Sequence, residues 1–208
     1  MADARKLEQY EEKAPSIRRE QSPAKPYTYK DYLSWGDDTR FELIDGIPHM
    51  MAAPTRWHQQ VTGEISRQLG NWLEDKPCEV YIAPFDVRLF PEDDLSDKVV
   101  VQPDVLVVCD EEKLADERAC RGAPDFVVEA VSKGTRGKDF GVKKALYEKA
   151  GVREYWIVEA GAVYKYVPVN GEYQETVFDL TEVSAISVDA LPSCSIDFRK
   201  IAGLALRP

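Results

Sequence analysis

Phe126-Val127-Val128-Glu129-Ala130-Val131 is a run of strand-forming, apolar residues broken by a single carboxylate. A strand alternates its side chains between two faces, so a half-exposed strand carries polar residues at every second position. This run carries only Glu129, and it reads as a central strand covered on both sides. A chain that contains it must supply layers of structure above and below a sheet. It must also supply a partner for Glu129, because an ionised carboxylate in such a place costs several kcal/mol unless it is paired or bound to a metal.

The pattern on either side of the run supplies those layers. Thr28 can cap a short helix that reaches Trp35 and stops at Gly36. Residues 40–44 read as a strand, Asp45-Gly46 as a hairpin turn and 47–51 as the return strand. Pro54 and Thr55 introduce a helix in which Trp57, Val61, Ile65, Leu69 and Trp72 recur at helical spacing, giving one apolar stripe. Strands follow at 79–90 and 99–108, joined by the acidic loop 91–97, and then at 124–131. A helix over 138–150 ends at Gly151, a strand covers 153–158, and strands at 162–168 and 172–178 flank the turn Asn170-Gly171. This order predicts an α/β fold of the α+β mixed-sheet kind, with helices flanking a central mixed β-sheet. Residues 1–26 are polar and punctuated by Pro15, Pro23 and Pro26, and read as a flexible N-terminal tail; 27–208 reads as one domain.

Composition narrows the function classes. The 208 residues contain no apolar run near the roughly 20 residues that span a bilayer. The N-terminus lacks the apolar stretch of a signal peptide, so no membrane partner and a cytoplasmic address are expected. Cys78, Cys109, Cys120 and Cys194 form no CxxC pair and read as reduced, mostly buried thiols. With only His49 and His58 present, a histidine-rich zinc site is not expected. A net charge of −10 argues against a protein that coats nucleic acid non-specifically, though it leaves room for a local basic patch beside an acidic site.

A second acid, Asp104, opens the apolar strand Asp104-Val105-Leu106-Val107-Val108. Its plainer reading is a strand-end carboxylate that caps backbone N–H groups. Two acids on neighbouring core strands would instead offer hard oxygen ligands to Mg²⁺ or Mn²⁺, which bind through few carboxylates completed by water and phosphate oxygens. That arrangement suits metal-assisted phosphodiester hydrolysis. Glu42, in Phe41-Glu42-Leu43-Ile44, is a third acid and by strand alternation could simply be half-exposed.

Asp139, Lys143 and Tyr147 are spaced i, i+4, i+8 and share one helix face. Between Lys133 and Lys149 the bases Lys133, Arg136, Lys138, Lys143, Lys144 and Lys149 outnumber Asp139 and Glu148, a local surplus suited to a phosphate-bearing substrate. Lys133, Arg136, Lys138 and Tyr147 are the candidate substrate-binding residues. His58 lies beside the apolar stripe of its helix, where a lone histidine is either structural or an assisting group. The segment Ser-Lys-Gly-Thr-Arg-Gly-Lys-Asp at 132–139 lacks the first glycine of a phosphate loop and has Asp139 where Ser or Thr would bind magnesium, so it is no Walker motif.

Phe41-Glu42-Leu43-Ile44-Asp45-Gly46, His58, Ala83-Pro84-Phe85-Asp86-Val87-Arg88-Leu89, Gln102-Pro103-Asp104-Val105 and Ala123-Pro124-Asp125-Phe126-Val127-Val128-Glu129 occur in this order. Asp139, Lys143, Tyr147 and Gly151-Val152-Arg153-Glu154-Tyr155-Trp156 follow them. The ordered set, over about residues 27–180, resembles the bacterial Uma family of restriction-endonuclease-like proteins, within the PD-(D/E)XK nuclease superfamily. The resemblance implies a restriction-endonuclease-like core, Mg²⁺ dependence (Mn²⁺ being an alternative), DNA as substrate and a homodimer. It points to Asp104 as the acid of the Pro-Asp motif and to Glu129 as the second acid. The superfamily lysine two residues after Glu129 is replaced by Val131. Lys143 on the following helix can take its role, and Lys133, on the same side of the strand just past its end, is the rival. The expected catalytic set is thus Asp104, Glu129 and Lys143, with Glu42 and His58 assisting at the rim. The alternatives are a catalytically silent dimeric interaction module on the same fold, and a metal-dependent hydrolase of small phosphoesters.

Overall fold

The computed structural model describes residues 25–35, 40–131, 134 and 136–205. The expected tail therefore falls almost wholly outside the described residues, and so does Lys133. Helix α1 is the short Tyr29–Tyr32, closed by a capping box in which Thr28 and Asp31 bond each other's backbone N–H groups. The hairpin β1 (Phe41–Ile44) and β2 (Ile47–Met50) turns at Asp45-Gly46, both with positive φ. Gly46 is required there: a Cβ would meet Pro26 Cβ at 2.5 Å.

Helix α2 (Arg56–Leu73) starts at Thr55, whose side chain accepts from the backbone N–H of His58. Its buried face is Val61, Ile65, Leu69 and Leu73, each contributing about 1.5–3 kcal/mol relative to exposure. The chain continues through β3 (Glu79–Ile82), β4 (Asp86–Arg88), β5 (Val100–Val101), β6 (Val105–Val108), a 3-10 turn at Glu111–Leu114, β7 (Ala119–Arg121) and β8 (Phe126–Ala130). Helix α3 is composite, with a π-helical stretch Asp139–Lys143 between Arg136–Lys138 and Lys144–Ala150. It ends at Gly151, whose φ of 88° is the left-handed stop that glycine adopts without strain. Strands β9 (Glu154–Glu159), β10 (Ala162–Val169) and β11 (Glu172–Asp179) form a meander; β12 (Ala185–Val188), β13 (Cys194–Asp197) and α4 (Arg199–Ala205) complete the described chain.

These strands build a six-stranded mixed sheet, β11-β10-β9-β8-β6-β3, a five-stranded sheet, β2-β1-β5-β4-β7, and the ribbon β12-β13. In the larger sheet β8 pairs parallel with β9 and antiparallel with β6, so the run around Glu129 is central, as its composition predicts. Phe126, Val128 and Ala130 pack with α2, β12 and β13 on one face. Val127 and Val131 pack on the other face with Tyr147 of α3 and with Val87 and Val101 of the second sheet. Both faces are covered, which is the layered mixed α+β architecture expected.

Two expected strands are divided. Residues 79–90 become β3 in the large sheet and β4 in the small one, separated at Ala83–Phe85, and 99–108 becomes β5 and β6, separated at Gln102–Asp104. The chain crosses between the sheets at these two places, and Ala83 N–H donates to Asp104 O across the crossing at 3.1 Å. The cysteine expectation also needs correction. Cys78 and Cys109 are disulfide-bonded, and only Cys120 and Cys194 are free and buried. Antiparallel pairing of Glu79 with Val108 places these two cysteines opposite each other at the next position. Among the described residues, no helix is long and apolar enough to cross a membrane.

Candidate metal centre

Asp104 and Glu129 come together through strand register. Val105 pairs with Val128, and one step beyond that pair Asp104 faces Glu129. Directly opposed residues of antiparallel strands have Cβ atoms about 4.5–5.5 Å apart. Both carboxylates line a cleft of about 550 Å³ together with Glu42, His58, Lys138, Asp139 and Lys143.

Each acid is held by named groups. Asp104 Oδ2 accepts the Ala130 N–H at 2.8 Å and lies 2.9 Å from His58 Nε2. The strand-end capping considered for Asp104 is therefore present, and one oxygen makes it. His58 Nδ1 is buried and has no partner among the described residues. Glu129 Oε1 accepts the Tyr147 hydroxyl at 2.7 Å and is in contact with Lys143 Nζ. Glu42 is 1% exposed rather than half-exposed, because β1 is covered on both faces. Its Oε1 accepts from Lys143 Nζ at 2.8 Å and from Gln102 N–H at 3.1 Å, and its Oε2 from Lys138 Nζ at 2.7 Å. It sits at the base of the cleft, not at its rim.

Lys143 is the hub. Its ammonium touches Glu129 and Glu42 and lies 3.9 Å from Asp139 Oδ1. Burial works against its charge, but Glu129, Glu42 and Asp139 more than reverse that and raise its pKa well above the ordinary value. Burial likewise works to raise Glu42, yet the Lys143 and Lys138 charges bring it to about 2. Glu129 moves the other way. Burial pushes its carboxyl well above 4.5, Lys143 offsets this only in part, and Asp104, Asp139 and Glu42 add to the rise. Strongly perturbed carboxyls beside a buried cation in a cleft are a recognised mark of functional chemistry.

The candidate substrate-binding residues separate. Lys138 lines the cleft and bonds Glu42. Tyr147 is fully buried behind Glu129, positioning it rather than lining the cleft. Arg136 is exposed, paired with Glu159 at 2.7 Å and stacked over Phe140, away from the cleft wall. Sequence reading missed Arg40 and Gln102, which lie on or against the cleft, and His49, which pairs with Glu42 across β1–β2. Burial first and Lys138 second hold the His49 imidazole below its ordinary value. Nothing in their sequence neighbourhoods is anomalous in the way Glu129 is.

Among the described residues no group of three or more His, Cys, Asp or Glu side chains is arranged to hold a metal ion. Mg²⁺ does not need such a cage; it is held by one or two carboxylates, water and substrate phosphate. Asp104 and Glu129 fit that requirement. The four carboxylates of the cleft face Lys138, Lys143 and the Arg40 guanidinium, so the cleft stays net negative when all are ionised, a field that favours a cation.

The family model for Uma2, described as a putative restriction endonuclease, matches residues 29–199. The fold is similar to the crystal structure of a putative nuclease belonging to DUF820 from Anabaena variabilis, with a TM-score of 0.69 and 16% identity, covering 87% of this chain and 100% of that one. No curated protein matches the chain.

Proposed function

The chain belongs to the Uma2 family of putative restriction endonucleases, and from that premise we propose that it is a Mg²⁺-dependent endonuclease hydrolysing DNA phosphodiester bonds. The observation that carries the reading is the opposition of Asp104 and Glu129 across β6–β8, with the Lys143 ammonium against Glu129. Asp104 and Glu129 hold the ion, with Mn²⁺ as a substitute. A divalent cation bound there supplies Lewis-acid polarisation of the phosphoryl group and lowers the pKa of a water.

The protein's own groups do the rest. Lys143, from the helix after β8, brings a cation to Glu129 that Val131, buried in the core, cannot. It orients the attacking water and offsets negative charge that develops at the phosphorus. Glu42 and Asp139 keep Lys143 protonated and fixed. Tyr147 sets the Glu129 carboxylate through its hydroxyl, and His58 braces Asp104. Lys138, partly exposed at the cleft, and the start of α2 at Thr55 and His58 receive phosphate oxygens.

The test is a cleavage assay on duplex and single-stranded DNA with Mg²⁺ or Mn²⁺. Cleavage is expected in the wild type and lost in Asp104→Ala and in Glu129→Ala; activity retained in both variants would overturn the assignment. A homodimer belongs to the same proposal. Among the described residues, strand β11 is an unpaired edge of the large sheet and carries the exposed Val177, the kind of edge a second copy covers. A monomer in sedimentation equilibrium removes that part alone.

A further inference from the structure

A second cavity, of about 450 Å³, lies beside the carboxylate cleft, and Arg40 lines both. Neighbouring residues of β1 divide between them: Phe41 lines the second cavity and Glu42 the first. Gln102 links them too, since its backbone N–H holds Glu42 while its side chain lines the second cavity.

The walls are aromatic with a small, ordered polar group. Tyr32, Trp35, Phe41 and Phe85 line the cavity. Tyr27, Tyr32 and Phe41 meet the Trp35 ring at 88°, 55° and 74°, so none of them is stacked on it. Tyr32 Oη and Gln102 Nε2 both donate to Asp86 Oδ1, at 2.9 and 2.8 Å. Arg40 donates through Nε and Nη2 to Gln102 Oε1, at 3.0 and 2.9 Å. Asp86 Oδ2 and Arg40 Nη1 take no part in these bonds. Asp86 is half-buried and its Oδ2 faces the cavity side of these bonds, open to water or to a ligand that brings N–H donors, and burial pushes its carboxyl up. A cavity of this size that joins aromatic side chains to the polar groups of Arg40, Asp86, Gln102 and Arg118 suits a small ligand with its own hydrogen-bonding edge.

We propose that this cavity receives one unstacked nucleobase of the strand whose phosphate enters the carboxylate cleft. Trp35 supplies the stacking surface, with Phe85, itself stacked on Tyr81, beside it, Asp86 Oδ2 accepts from the N–H edge of the base, and Arg40 donates beside it. The inference rests on the nuclease reading for the neighbouring phosphate. Aromatic stacking of this kind is tolerant of sequence, because every base has a π face. The Asp86 acceptor adds a hydrogen bond to any base whose free edge offers an N–H, and an abasic strand offers none.

The full chain is tested in EDTA, so that no cleavage occurs, by fluorescence anisotropy with labelled oligo(dA), oligo(dT) and an abasic strand of equal length. The wild type is expected to hold oligo(dA) about tenfold or more tightly than the abasic strand. Trp35→Ala and the near-isosteric Asp86→Asn, each checked for a cooperative melt, lose that advantage, and the surface control Glu182→Gln, outside both cavities, keeps it. Equal affinity for oligo(dA) and the abasic strand overturns the subsite, as does retention of the advantage by folded Asp86→Asn. In either case metal-dependent cleavage by the wild type leaves the nuclease reading standing. An Asp86-dependent preference in a protein that cleaves nothing with any metal leaves the subsite standing and removes the nuclease reading. Deoxyadenosine monophosphate that binds as tightly as the strand overturns the polynucleotide form of the proposal and identifies a free nucleotide as the ligand.

Discussion

Lys143 neutralises carboxylates that would otherwise face one another in the interior. It is 2% exposed and touches Glu129 and Glu42, with Asp139 close by. Lys143→Met keeps the stem and removes the charge, so it is expected to lower stability by about 3–5 kcal/mol, the usual cost of breaking a buried pair from one side. Urea denaturation measures this, and a loss below about 1 kcal/mol would show that the carboxylates are neutral without the lysine. Glu42 makes a pH-resolved counterpart. Its folded pKa of about 2 lies below the ordinary 4.5, so its contribution is full above the unfolded value and is lost as pH falls through the folded one. The stability gap between wild type and Glu42→Gln should therefore be constant above about pH 5 and shrink steadily toward pH 2; a gap that does not change with pH excludes an ionised, paired Glu42. These side chains were unequally legible. Glu129 stands out because an acid inside an apolar strand has few inexpensive explanations. Glu42 does not, because a strand with one acid looks half-exposed until a second layer covers it. Cys78 and Cys109 lie 31 residues apart in sequence, and only the β3–β6 register shows them to be partners.

The π-helical turn at Asp139–Lys143 carries two of the side chains proposed for the site. Such turns carry one residue more than the α-helical path and recur at functional sites. Asp139 lies at its start, 3.9 Å from the Lys143 ammonium at its end, and Tyr147 in the regular turns beyond it bonds Glu129. Deleting Val142, which is exposed, should convert the turn to regular α-helix and close the Asp139-to-Lys143 spacing to i, i+3, displacing that pair while the flanking turns keep their places. The expected result is an almost unchanged far-UV circular dichroism spectrum with cleavage lost; a deletion variant that cleaves like wild type would show that the extra residue positions nothing. The i, i+4, i+8 spacing identified the helix face, but sequence has no marker for a π turn. The same limit applies to the divided strands. Residues 79–90 and 99–108 each contain a proline, Pro84 and Pro103, at the place where the strand divides, but proline also sits on edge strands, and only the pairing shows that each stretch serves two sheets. The ribbon β12–β13 escaped the reading although Ile186 and Val188 alternate with exposed neighbours, a pattern that is visible only over a short span.

Charge acts on the protein as a whole against the substrate proposed for it. The chain carries −10, and DNA is a polyanion, so their long-range interaction is repulsive. What attraction exists is confined to the cleft, where Lys138 and Arg40 are the basic side chains not sealed in the interior as Lys143 is. Each phosphate neutralised contributes a slope of about −0.9 to log affinity against log salt. Two such contacts predict a slope no steeper than about −2, and screening of the overall repulsion pulls the observed value closer to zero. A basic nuclease that binds many phosphates loses affinity far more steeply. Measuring kcat/KM for DNA cleavage across a salt series decides the matter. A slope near zero or mildly negative fits a protein that engages DNA at one or two phosphates and a base. A slope of about −4 or steeper requires phosphate contacts beyond Lys138 and Arg40, and would move the principal DNA contact away from this cleft.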